Sequence, residues 1–288
     1  MSGSAQDYSA WIGRSEEKHD VVTASPLDRL AATLDRNDPP YSAGDLMPPL
    51  GHWLYFLPSD RHSEIGPDGH AKRGGFLPPV YDLPRRMWAG SRVTFSGDIR
   101  VGDEVYRRST IASVDRKEGR SGALVFVTVR HEIGRRGDPP AIVEEHDIVY
   151  RGPESGGRTP EKAAAGVWRR TLAPDAVQLF RFSALTFNGH RIHYDRDYAV
   201  GREGYPGLVV HGPLVATLLV DLVRRHVPHR RIEKFAFRAH APLFEGREIS
   251  LNADAPTQGG AIRLWAANQA GDLAVSAEAS LECSEGTQ

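Results

Sequence analysis

Phe187-Asn188-Gly189-His190-Arg191-Ile192-His193-Tyr194-Asp195, followed closely by Val209-Val210-His211-Gly212-Pro213-Leu214, is the stretch on which the reading of this chain turns. The first segment sets an amide and two imidazoles around a glycine able to end a helix. The second places a glycine at the mouth of Pro213 to Arg225, where Leu214, Val215, Leu218, Leu219 and Leu222 cover most of a helical circumference. A helix that is apolar nearly all round belongs inside a protein. The spacing therefore predicts a long central helix wrapped by a curved sheet, with a general base and a free backbone donor at one end of it. No other part of the chain concentrates so many chemical groups.

Outward from there, two halves share one plan. Ser25-Pro26-Leu27 opens an amphipathic helix through Leu34, with Leu27, Leu30, Ala31 and Leu34 on one face. Pro174 opens a second over Asp175 to Thr186, where Val177, Phe180 and Ala184 share a face. Behind each come strands rich in Val, Ile, Phe, Thr and Tyr, at 91–101, 104–114, 122–133 and 141–150, then at 232–244, 247–254, 260–268 and 272–283. Ile99-Arg100-Val101-Gly102-Asp103-Glu104-Val105 lines up with Leu243-Phe244-Glu245-Gly246-Arg247-Glu248-Ile249, which reads as one strand-turn-strand corner used twice. The Gly/Pro-rich run 151–160 separates a half at 1–150 from a half at 161–288. Only the second half has the long apolar helix. The first has a Gly/Pro-rich passage from Pro39 to Pro84 instead, so one working site per chain is expected, in the second half.

The 288 residues are 40% hydrophobic, and Lys+Arg at 36 nearly balance Asp+Glu at 37, leaving no net charge to drive nucleic-acid or membrane-surface binding. The single cysteine, Cys283, excludes an intrachain disulfide and fits a reducing compartment. The start lacks the apolar region of a secretory signal, and the run from Leu208 to Val223 is interrupted by polar residues. The expectation is a cytoplasmic protein with no membrane association.

The residues from Ser183 to Ala199 resemble the signature of MaoC-type hydratases, S-G-D-x-N-P-x-H-x-D followed by a Tyr-Ala pair. His193, Asp195 and Tyr198-Ala199 match it, and His211-Gly212 matches the His-Gly that opens the family's central helix. Asn188 stands where the signature has aspartate, and Ser183 lies further upstream than the family serine. The wording Arg181 to Asp195, continued by Tyr205 to Gly212 and echoed by Leu83 to Gly90, is similar to the type 2 hydroxyacyl-thioester dehydratases and the mesaconyl- or itaconyl-CoA hydratases. The resemblance implies an α+β double hot-dog: two antiparallel sheets, each curving around helix, the second around a long buried one. It implies a degenerate first half closing an acyl tunnel and a catalytic second half. The implied activity is hydro-lyase chemistry on a 2-enoyl-CoA, with a short dicarboxylic acyl group favoured. A carrier-protein dehydratase and a non-catalytic acyl-CoA-binding subunit are the alternatives. CoA enters as part of the substrate, no other cofactor is expected, and the chain would work as a monomer or homodimer.

Hydration beside a thioester needs a base for water, a proton for Cα and a donor for the enolate oxygen. His193 suits the base, since imidazole titrates near pH ~6.5. Asn188 can only orient water or the imidazole. On a continuous helix Asn188 and His193 would stand about 140° apart, so the helix should stop near Asn188, with Gly189 as its breaker. Gly212 offers an N–H at a helix start, because Pro213 has none. His211 and Tyr194 are expected to face substrate. Arg85 and Arg86 are candidates for a substrate carboxylate or a CoA phosphate. Plainer roles are open: His193 as a hydrogen-bonded core histidine, Asn188 as a helix cap, the arginines as solvated surface. His190, His193 and His211 invite a zinc site, but no cysteine is near and Asp195 is the only close carboxylate, so no metal is expected.

Overall fold

The computed structural model describes residues 7–119, 122–152 and 160–282. Cys283 and most of the 151–160 linker lie outside the described residues. Ten strands form the framework: β1 (Ser15–Val21), β2 (Arg85–Phe95), β3 (Glu104–Gly119), β4 (Gly122–Arg135), β5 (Ile142–Arg151), β6 (Trp168–Leu172), β7 (Ile232–Ala239), β8 (Ile249–Ala253), β9 (Ala261–Asn268) and β10 (Leu273–Leu281). Their order is β1-β3-β4-β5-β2-β7-β10-β9-β8-β6, which reads as the same five-strand order from either edge. That palindrome is the expected duplication seen in three dimensions. The two expected sheets are joined into one, because β2 pairs with β7 from Gly90↔Arg238 to Thr94↔Lys234.

The repeated corner is built alike in both halves. Gly102 and Gly246 both hold positive φ, at 103° and 65°, where a side chain would be strained. The N–H of Met47 bonds to the carbonyl of Ile99, and that of Val210 to Leu243, so Leu46-Met47 and Val209-Val210 occupy equivalent places. The next two residues set the halves apart. Pro48-Pro49 stands in the first half where His211-Gly212 stands in the second, which removes both the imidazole and the free N–H.

All eight expected strands are present, the one expected at 91–101 lying instead at Arg85–Phe95, but each half begins with a strand that the sequence did not announce. β1 reads Ser-Glu-Glu-Lys-His-Asp-Val and β6 Trp-Arg-Arg-Thr-Leu, and neither contains a fully buried residue. They are the two outer edges of the sheet, where charge guards against further pairing.

α1 (Ala24–Thr33) buries Leu27 and Leu30 as expected. α2 (Ala176–Leu185) buries Leu179, Phe182 and Ser183, not the expected face: Val177 and Phe180 are more than 60% exposed and Ala184 is also exposed. The helix carries apolar residues on two sides, and Phe182 with Leu179 is the side that reaches the core. After the short α3 (Arg196–Gly201) comes α4 (Gly212–His226), with Leu214 through Val223 all buried. β6, β8, β9 and β10 pack around it, and β2 of the first half touches it. Burying four leucines (Leu214, Leu218, Leu219, Leu222) at 0–1% exposure contributes about 1.5–3 kcal/mol each.

Among the described residues the first half has no such helix. Its inner face is filled by the irregular passage before β2, where Val80 and Leu83, with Phe76 and Leu77, pack on Val125, Val127, Val129, Ile148 and Tyr150. Among the described residues no helix is long and apolar enough to cross a membrane.

Candidate active site

The site is assembled from the overhang between α2 and α3. α2 starts where the Asp175 carboxylate accepts the Gln178 N–H at 2.8 Å. It ends at Leu185, where Phe187 turns left-handed at φ 48° and the Asn188 N–H reaches back to the Ser183 carbonyl at 2.8 Å. Phe187, not Gly189, is the breaker. Gly189 is required for a different reason, close approach of a second backbone. A Cβ on Gly69 would lie 1.7 Å from the Gly189 oxygen, and one on Gly189 2.8 Å from the Gly69 oxygen. The loop of the first half containing Gly69 is thus seated on the overhang. Arg191 fastens it there, its N–H donating to the Asp68 carbonyl and its Nη1 to that of Pro67, both at 2.9 Å.

His193 ends a short 3-10 turn, Arg191–His193, and is buried. Its Nδ1–H donates to the Val209 carbonyl at 2.7 Å, since a carbonyl can only accept. The lone pair is then on Nε2. The ring stacks on His211 at 3.7 Å and 18°. His211 is fully buried and shares a 2.8 Å hydrogen bond with Ser183, so the structure places it beneath His193 and away from solvent. Burial, only partly opposed by the bond to Val209, pushes His193 down to about 4. Burial and the neighbouring imidazoles hold His211 well below its ordinary value. Both rings are neutral at physiological pH, the state a general base requires.

His211 caps α4, and Gly212 is its first residue. Among the described residues no carbonyl or side chain takes the Gly212 N–H, as expected for the first turn of a helix. A Cβ built there meets nothing within 4 Å, so the side-chain side of this residue is uncrowded. The stacked rings link His193 to the residue beside that donor.

Asn188 caps its own turn, Oδ1 accepting the His190 N–H at 2.9 Å, and no hydrogen bond joins it to His193 among the described residues. Tyr194 is 48% exposed and braces the overhang through a 3.0 Å bond to the Gly189 carbonyl. Asp195 pairs with Arg191 at 2.7 Å and caps α3 by accepting the Tyr198 N–H. The two arginines part company. Arg85 is neutralised by Glu203, Nε to Oε2 at 3.1 Å, and also donates to the Glu203 carbonyl. Arg86 forms no ion pair among the described residues, and its charge partly offsets the rise that burial gives the Tyr150 phenol. The zinc arrangement of His190, His193 and His211 does not form, because the stacked rings of His193 and His211 send their nitrogens out in parallel planes.

Three residues escaped the sequence reading: Asp68, His70 and Arg73. The Asp68 carboxylate meets His70 Nδ1 at 3.0 Å, and the His70 ring lies 4.1 Å from His190, which is 5.4 Å from His193. Burial, then the charges of His70 and His193, push His190 down to about 2, with Asp68 opposing. Arg73 lies over the Tyr150 ring, its Nη1 buried without a partner. The only local sign was a turn-like Pro67-Asp68-Gly69-His70 inside the irregular passage, more than a hundred residues from His193.

With this geometry in hand, similarity to known proteins is informative. The family profile for hydroxyacyl-thioester dehydratase type 2 matches residues 50–245. The chain is 46% identical over 268 residues to mesaconyl-C(4)-CoA hydratase of Chloroflexus aurantiacus, covering 88% of this chain and 95% of that one. A solved MaoC-like dehydratase superposes with a TM-score of 0.72 at 15% identity, covering 96% of this chain and 99% of that one. A Mycobacterium tuberculosis protein described as having a double hot-dog fold superposes with a TM-score of 0.53 at 14% identity, covering 94% and 96%. The palindromic sheet around a buried helix is that double hot-dog, and the chain belongs to the hydroxyacyl-thioester dehydratase type 2 family.

Proposed function

We propose that this chain is a hydro-lyase that reversibly adds water to a 2-enoyl-CoA, with a short dicarboxylic acyl group as its substrate. One observation carries the reading. His193 has its Nδ1–H committed to Val209, and its ring lies on His211, the residue before Gly212, whose N–H no protein group takes among the described residues. A base and an anion-stabilising donor are thereby held at one helix end.

In hydration, Nε2 takes a proton from water as the oxygen bonds to Cβ. The double-bond electrons move through Cα to the thioester oxygen, which the Gly212 N–H and the positive end of α4 stabilise. Cα then accepts a proton and the carbonyl reforms. Elimination runs the same steps backward. CoA is part of the substrate and the steps require no further cofactor. A dicarboxylic acyl group is supported by Arg86, a cation without a carboxylate partner among the described residues. It is supported too by the Chloroflexus relative.

The enoyl-thioester absorbance, followed with crotonyl-, mesaconyl- and itaconyl-CoA and with carrier-protein thioesters, tests the reading. Turnover is expected, fastest with a dicarboxylic CoA ester. His193→Ala should retain binding and lose about 10²–10⁴ in rate. A pure protein that turns over no enoyl thioester refutes the proposal.

A further inference from the structure

Asn188 leaves the site one proton-transfer group short, since an amide neither takes up nor releases a proton near neutrality. We infer that the Asp68–His70 pair, brought in by the first half of the chain, is that second group. The inference rests on the hydratase reading above.

Four imidazoles line one path: His211 and His193 stacked at 3.7 Å, His190 at 5.4 Å from His193, and His70 at 4.1 Å from His190. Of these, His70 alone is hydrogen-bonded to a carboxylate among the described residues, through Nδ1 to Asp68 Oδ2 at 3.0 Å. A transient imidazolium there has a carboxylate directly against it, Asp68 opposing the burial that holds His70 below its ordinary value, and Nε2 is the nitrogen left to exchange a proton. The loop is a built part of the site, with the Gly69 and Gly189 backbones in contact and two donors of Arg191 gripping its carbonyls.

In hydration the proton taken from water by His193 passes through His190 to His70 and from there to Cα. In elimination His70 removes the Cα proton, the electron pair moves to the thioester oxygen, and His193 protonates the departing hydroxyl. Water or the hydroxyacyl thioester supplies every proton, so nothing is oxidised or reduced. Asp68, His70 and His190 also offer ligand atoms within 4.8 Å of one another, a set that a divalent cation can use. Arg86 and Arg73 both repel positive charge at His70, and a divalent cation feels that repulsion more strongly than a single transferred proton.

Deuterium uptake at Cα of the 3-hydroxyacyl-CoA in D2O, read by mass spectrometry beside turnover and acyl-CoA binding, tests the inference. His193→Gln should lose turnover yet retain Cα exchange. His70→Gln should lose both by about 10²-fold or more while binding is kept. Asp68→Asn, which preserves the shape of the pair, should show the same joint loss at smaller size. Cα exchange at the wild-type rate in His70→Gln, or wild-type activity that chelation abolishes and added zinc restores, overturns the inference. Wild-type protein inert toward every enoyl thioester sinks the hydratase reading instead.

Discussion

Burial holds His193 neutral well below the pH at which an exposed imidazole takes up its proton. Its folded value near 4 lies below the ~6.5 of an exposed imidazole, so between these values the unfolded chain binds the extra proton. Stability contributed by this neutral ring is present above pH ~6.5 and is lost as pH falls toward 4. The acid limb of kcat/KM should accordingly fall below pH 6, and a limb centred at 6.5 would show that the ring is solvated. Arg86 gives the second prediction. Arg86→Gln should lower kcat/KM for a dicarboxylic acyl-CoA by about 10-fold or more, one charge-assisted hydrogen bond contributing ~1.5–3 kcal/mol. Crotonyl-CoA turnover should change little. Arg85→Gln should leave that substrate ratio unaltered, because Glu203 already occupies Arg85. An equal response of both substrates to Arg86→Gln refutes the assignment.

The N-terminus of α4 separates folding from function more sharply than any other element. A methyl group on Gly212 meets no atom within 4 Å, so Gly212→Ala should leave the melting temperature within a few degrees of wild type. If Gly212 receives the thioester as proposed, the methyl would crowd the bound substrate, and displacing its carbonyl by about 1 Å costs roughly 10²-fold in rate. Thermal melts and steady-state kinetics on the same preparation check both halves of this prediction. The helix is legible in the bare sequence because its leucines cover every side. α2 is only half legible: its extent is clear, but two apolar stripes leave its buried face undetermined until the core chooses Leu179 and Phe182. β1 and β6 are invisible for the opposite reason. An edge strand buries no residue fully, so its sequence reads as charged surface.

The halves are tied together at Asp221, a carboxylate of α4 that is 1% exposed and accepts from Arg36, Arg170 and Arg225. Arg170 and Arg225 also donate to the Leu34 carbonyl just beyond α1, linking both halves through one buried charge. Asp221→Asn leaves those guanidiniums facing one another and should cost about 3–5 kcal/mol in urea unfolding. A loss below 1 kcal/mol would show that the network adds little to cohesion. Patterns confined to a few turns of chain were enough to establish the duplication, eight strands and the buried helix, because burial imposes a period on local sequence. Fusion of the two sheets, the contrast between Arg85 and Arg86, and the arrival of Asp68 and His70 beside His190 were settled by packing. Those contacts join residues more than a hundred positions apart, and no local periodicity encodes which distant loop will lie against a given helix end.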